Sequence, residues 1–79
     1  MYYLYLLQCQ DDSIYTGITN DVAERFKKHR EKRGGSYTRS HGAKKIIYTE
    51  EYKTKGEALR REIDVKKMKR EQKIFLASV

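Results

Sequence analysis

The sequence predicts an α+β domain, a small sheet with helices packed on it, in the order strand, strand, helix, strand, helix, helix. Three observations carry that expectation. The N-terminal run Tyr2–Cys9 is rich in Tyr and Leu on both alternating sets, and a second strand-like run, Ser13–Thr19, follows a short polar turn. Two later stretches place apolar residues at helical spacing behind capping-box pairs. Between them Lys45–Tyr52, with Ile46, Ile47, Tyr48 and Tyr52, reads as a third strand.

The first strand is apolar on both faces, which marks a central strand covered on each side. Gln10-Asp11-Asp12 is the hairpin turn, and Asp12 is the residue expected to take the left-handed conformation. The first helix begins near Asn20 or Asp21, where Asp21 and Glu24 stand at capping-box spacing. At about 100° per residue, Val22, Arg25, Phe26 and His29 share one face of it. Lys32-Arg33-Gly34-Gly35 is the expected stop. Gly34–Gly42 is a polar loop with a basic and aromatic centre. Thr54 and Glu57 form a stronger capping box for the second helix, which is expected to reach about Met68. Lys69–Leu76 is expected as a short terminal helix carrying Ile74, Phe75 and Leu76.

Seventy-nine residues bound the chain to one domain spanning 1–79. A domain of that size buries only about 60% of its unfolded surface, so its core is thin. Cys9 is the only cysteine and lies in an apolar run, so no disulfide framework exists and a core role is expected. No segment is apolar enough to span a membrane, and the N-terminus lacks the basic leader of a signal peptide. A cytoplasmic protein is the expectation. The charge is +7 and unevenly spread. Residues 1–24 hold four acids and no Lys or Arg, whereas residues 25–79 hold all 18 basic residues and seven acids. A pI near 9.6 with that asymmetry fits a polyanion partner.

Several side chains stand out against this frame. Glu62 falls in the apolar arc of the second helix, between Leu59, Ile63, Ala58 and Val65. A carboxylate buried there needs compensation. A divalent cation is one solution, and an ion pair with Lys66, one turn later, is the other. Arg25 flanks Val22 and Phe26. It is either a bidentate clamp on a phosphate or an arginine whose stem covers apolar surface. His29, one turn on, is either a proton donor or phosphate contact, or a satisfied boundary residue. His29 and His41 lack a metal-ligand spacing, which excludes a zinc site. Tyr5 and Tyr15 are core aromatics by default. As chemical groups they need a nearby cation to lower a pKa of about 10. A three-residue hairpin loop places them on one face, and a two-residue loop on opposite faces.

Taken together these residues resemble the GIY-YIG nuclease family, in particular its small stand-alone bacterial members. The likeness runs through Tyr3-Leu4-Tyr5, Asp11-Asp12-Ser13, Tyr15-Thr16-Gly17, Ile18-Thr19-Asn20, Arg25 with His29, Tyr37-Thr38-Arg39 and Leu59-Arg60-Arg61-Glu62. The resemblance implies a three-stranded antiparallel sheet flanked by helices, and phosphodiester cleavage dependent on Mg²⁺ or Mn²⁺. It implies that Glu62 holds the metal. Of Tyr5 and Tyr15, one helps activate water and the other positions water or phosphate. Arg25 stabilises developing charge, and His29 assists at the same phosphate. Such a reaction rewards cations placed in advance. Tyr3, Leu4 and Thr16 replace the Gly, Ile and Ile of the two family triplets. The asparagine that many family nucleases carry after the metal glutamate is absent, since Asn20 is the only asparagine.

A metal-dependent endonuclease of low sequence specificity, acting on nucleic acid with DNA favoured, is the first expectation. Lys28, Arg60, Lys66, Tyr37 and Arg39 would contact the strand, with Tyr37 stacking on a base. The alternative is a catalytically weak nucleic-acid-binding module with Glu62 paired to Lys66. Convergence of Glu62 and Arg25 on the tyrosines separates the two. A protein-interaction domain is the third reading and predicts little salt-dependent DNA affinity. A monomer is expected because the predicted faces leave no long apolar stripe exposed.

Overall fold

A computed structural model describes residues 1–31 and 42–78. The elements are β1 (Tyr2–Cys9), β2 (Ile14–Thr19), α1 (Val22–Arg30), β3 (Ala43–Tyr52), α2 (Lys55–Lys66) and α3 (Arg70–Ser78). The strands form one antiparallel sheet in the order β2-β1-β3, with Tyr5 opposite Gly17 and Leu7 opposite Tyr15. The two-sided apolar pattern of β1 is thereby explained. As the central strand it buries Leu4, Tyr5, Leu6, Leu7 and Cys9 on both faces.

The hairpin loop is Gln10-Asp11-Asp12, flanked by Cys9 N–H donating to the Ser13 carbonyl at 2.9 Å and closed by Asp12 N–H donating to the Cys9 carbonyl at 3.0 Å. Asp12 takes the left-handed conformation, at φ 68°. The Asp11 carboxylate accepts from the Ser13 amide and hydroxyl, at 3.1 and 2.6 Å, and so fixes the turn locally. The resulting register places Tyr5 and Tyr15 on one face, with Tyr3, Leu7, Gly17 and Thr19.

On the other face Leu4, Leu6 and Ile14 meet Val65 of α2, with Ile18, Ile47, Tyr48, Tyr52, Met68 and Leu76 packed around them. Burial of these groups is the main source of cohesion in so small a sheet. Thr54 caps α2 by accepting from Glu57 N–H at 3.2 Å, and Asp21 caps α1 by accepting from Glu24 N–H at 3.0 Å. α1 ends at its cap residue Glu31, ahead of the expected stop, whose glycines lie outside the described residues. β3 starts two residues earlier than the sequence suggests, at Ala43. Its first residue, Ala43, pairs with Cys9 across an irregular register, which alternation does not reveal.

One predicted face is corrected. Leu59 and Ile63 are 39% and 56% exposed, whereas Ala58 and Val65 are fully buried and Arg61 and Glu62 half-buried. The inward stripe of α2 therefore runs through Ala58, Arg61, Glu62 and Val65. Spacing alone favoured Leu59 because it is the larger residue, but the helix is rotated by the contacts of Val65 and Arg61. Ile74 and Phe75 on α3 are also exposed, at 37% and 73%.

Candidate active site

Gly17 makes the site possible. A Cβ built there would lie 2.5 Å from the Tyr5 hydroxyl and 2.7 Å from its Cζ. The Tyr5 ring therefore lies flat across the bare backbone of β2, toward the edge of the sheet. Gly17 has no left-handed φ, so room for the ring, and not backbone conformation, requires glycine here.

The Tyr5 hydroxyl ends 2.9 Å from His29 Nε2 of α1. Tyr15 completes a cluster of three rings: its centroid is 6.2 Å from Tyr5 and 5.4 Å from His29, the latter edge-on. Tyr5 and His29 are buried, at 1% exposure each. His29 is thus no boundary residue but the most deeply placed side chain of its helix, which the helical wheel did not distinguish from Val22 and Phe26. Its neighbour Arg30 lies over the Phe26 ring at 5.9 Å.

Charges act on the same hydroxyl. Burial raises the Tyr5 pKa well above its ordinary value, and the neighbouring Tyr15 and Glu62 push the same way. The Arg25 guanidinium, one turn before His29, opposes them. Burial, with the Arg25 charge, holds His29 below its ordinary value. Tyr5 is accordingly a protonated phenol and His29 a neutral imidazole at neutral pH. His29 contacts Tyr5, and the charges of Arg25 and Glu62 act on it, although Glu62 belongs to a helix packed against β2 and the opposite face. The pair with Lys66 forms as well, with Nζ 3.5 Å from Glu62 Oε2.

Glu62 is 16% exposed. Among the described residues no cluster of three or more His, Cys, Asp or Glu side chains could cage a metal ion. The donor set is a single hard carboxylate oxygen donor. That fits Mg²⁺ or Mn²⁺, which commonly keep several waters and bind through one carboxylate plus substrate phosphate oxygens. It does not fit Zn²⁺ in a closed site. Lys28 and Arg60 are exposed on α1 and α2. Tyr37, Arg39 and His41 lie outside the described residues.

Two features escaped the sequence. The first is Glu50, whose carboxylate accepts Arg61 Nε and Nη2 at 3.0 and 3.1 Å, and the hydroxyls of Tyr48 and Tyr52 at 2.5 and 2.6 Å. This bidentate clamp ties β3 to α2 one residue before Glu62. Burial would raise the Glu50 pKa, but Arg61 and the two hydroxyls outweigh it and hold the carboxyl below its usual range. Tyr52 is pushed up to about 12, chiefly by burial and then by Glu50. The second is Thr16, 3% exposed, whose hydroxyl has no hydrogen-bond partner among the described residues. The period-two run Tyr48, Glu50, Tyr52 was a visible signal for the first. Its partner Arg61 is remote in sequence, so the pair itself was not.

The family pattern of the GIY-YIG catalytic domain matches residues 1–74. A UPF0213 protein of Cupriavidus necator is 49% identical over 72 residues, covering 91% of this chain and 78% of the relative. A UPF0213 protein of Clostridium perfringens is 45% identical over 78 residues, covering 99% and 84%. The solution NMR structure of a UPF0213 protein from Bacillus halodurans is 43% identical. It superposes with a TM-score of 0.61 over 99% of this chain and 84% of that one. It has the same architecture of three antiparallel strands and helices. Those names specify no activity.

Proposed function

The chain belongs to the GIY-YIG catalytic domain family, and from that premise we propose that it is a divalent-metal-dependent endonuclease of low sequence specificity, acting on DNA. The family is a nuclease superfamily whose nucleases generally use divalent metal ions. The observation that carries the reading is the buried cluster of Tyr5, Tyr15 and His29, with the Tyr5 hydroxyl 2.9 Å from His29 Nε2 and subject to the charges of Arg25 and Glu62.

Glu62 would hold the ion, Mg²⁺ or Mn²⁺. When bound, that ion supplies positive charge to the scissile phosphate and eases loss of a proton from water. The chain's own groups do the rest. A neutral phenol is a poor base, but Tyr5 need not ionise. With the His29 proton on Nδ1, the Tyr5 hydroxyl donates to Nε2 across 2.9 Å. As the attacking water gives its proton to the Tyr5 oxygen, Tyr5 passes its own to His29 Nε2. Phenol is regenerated and the proton rests on imidazole. Because burial and Arg25 weaken His29 as a base, it releases that proton readily once product leaves. Arg25 faces the charge that develops on the phosphate. Tyr15 holds the ring cluster and the water or phosphate beside it. Lys28, Arg60 and Lys66 would contact the strand electrostatically. Tyr37 and Arg39 would do so from the intervening segment.

The sequence has no asparagine after Glu62, and the observed Glu62–Lys66 pair supports the second reading, a catalytically weak nucleic-acid-binding module. No helix among the described residues is long and apolar enough to cross a membrane, and a cytoplasmic site of action as a single domain completes the proposal.

Cleavage of labelled single-stranded and branched DNA decides between them. Wild type should cut with Mg²⁺ or Mn²⁺, stop in EDTA, and lose at least about a hundredfold in rate as Glu62→Ala. Salt-sensitive binding without cutting would establish the binding module instead.

A further inference from the structure

We propose that Lys66 is a tethered counter-ion that competes with the divalent cation for Glu62 and withdraws when the ion binds. This rests on the reading of Glu62 as the group that holds the metal.

A carboxylate only 16% exposed requires a neighbouring positive charge. In the protein alone Lys66 supplies it, with Nζ 3.5 Å from Oε2 one helical turn away. The Lys66 side chain is itself 53% exposed, so its ammonium has open solvent into which to swing. A second cation makes its position less secure. Lys73 of α3 is 9% exposed, and burial together with the Lys66 charge lowers its pKa. No side-chain hydrogen bond or ion pair to Lys73 is present among the described residues. The two ammonium groups therefore repel one another without an intervening carboxylate of Lys73's own.

A dication on Glu62 would meet Lys66 within contact distance of the same oxygen, and the two positive charges exclude each other. Because Glu62 offers the ion a single protein oxygen and no acidic cluster adds to it, metal affinity is modest. Even a weak ion pair is then a significant competitor. Exposed pairs at this spacing are weak by themselves, and direct repulsion of the ion adds to the effect. Removing the Lys66 charge should therefore tighten Mn²⁺ binding on the order of three- to tenfold. Once displaced, the ammonium is a mobile cation next to the metal and available to an incoming phosphate.

The test is Mn²⁺ titration by electron paramagnetic resonance, without nucleic acid, on wild type and on Lys66→Met, Lys66→Gln, Lys66→Arg and Glu62→Gln. Thermal unfolding of each variant controls for folding. Tighter binding in both neutral variants, with Lys66→Arg close to wild type, is the expected result. Equal or weaker binding in Lys66→Met and Lys66→Gln overturns the proposal, as does an absence of Mn²⁺ binding in all of the proteins. Wild-type affinity in Glu62→Gln fails differently: it removes Glu62 as the metal-holding group, and with it the premise.

Discussion

Gly17→Ala is the sharpest perturbation available, because it adds one methyl group at the point where the site is assembled. The new Cβ would sit 2.5, 2.7 and 3.0 Å from the Tyr5 hydroxyl, Cζ and Cε1. Ordinary contacts need about 3.5 Å, so the ring tip must move by roughly 1 Å. Tyr5 is 1% exposed and cannot yield into solvent without breaking its 2.9 Å contact with His29. Overpacking of this kind costs about 1–3 kcal/mol. Parting a buried polar pair adds about 1 kcal/mol or more. Urea unfolding should therefore show a loss of about 2–4 kcal/mol. Cleavage should fall about a hundredfold, the scale set by a 1 Å displacement at a reacting group. In a Tyr5→Leu background the added methyl has no ring to meet, and most of the stability loss should vanish. A Gly17→Ala protein with wild-type stability and rate would refute the reasoning, as would an equal cost in both backgrounds.

Other outcomes follow from the same geometry. Glu50→Ala leaves Arg61 and two tyrosine hydroxyls without their shared acceptor, and should cost about 1–3 kcal/mol in denaturant unfolding, given partial exposure of the pair. The folded Glu50 carboxyl is held below its ordinary value of 4.5, so its contribution is present above about pH 4.5. It is lost as pH falls through the lower folded value, and Glu50→Gln should flatten that part of the stability profile. His29 is held below 6.5 in the folded chain. Stability should decline as pH drops below about 6.5, cleavage only as pH falls through the lower folded value, and NMR titration of the ring should show that depressed midpoint. Thr16→Val replaces an orphaned buried hydroxyl with a methyl of the same shape. It should stabilise the protein by about 1 kcal/mol without altering cleavage, read from the melting temperature and rate together.

The element order was legible because each local signal agrees with the global fold. Two-sided apolarity marked β1 as central, and Asp12 and the Asp21 and Thr54 caps marked the turn and helix starts. The gathering of Tyr5, Tyr15 and His29 was legible too, since they stand at family spacing. The rotation of α2 was not. Leu59 and Ile63 outweigh Ala58 on any hydropathy scale, yet the Arg61–Glu50 clamp and Val65 turn them outward. Nor could spacing reveal that Tyr5 lies over Gly17, because cross-strand contact depends on register and ring direction. The depth of His29 has the same origin: it is set by the Tyr5 hydroxyl 24 positions away in sequence.

The claim at the centre of this account is that Glu62, on the helix of one sheet face, serves the same centre as Tyr5 and His29 on the other. Paramagnetic broadening by Mn²⁺ tests it directly, through amide and side-chain NMR signals of wild type and Glu62→Gln. Signals of Tyr5, Gly17, Tyr15, Arg25, His29 and Glu62 should fade together at substoichiometric Mn²⁺, and the effect should be lost in Glu62→Gln. Broadening centred on Asp11 and Asp12, or on Glu50 and Glu51, with Tyr5 and His29 unaffected, would contradict it.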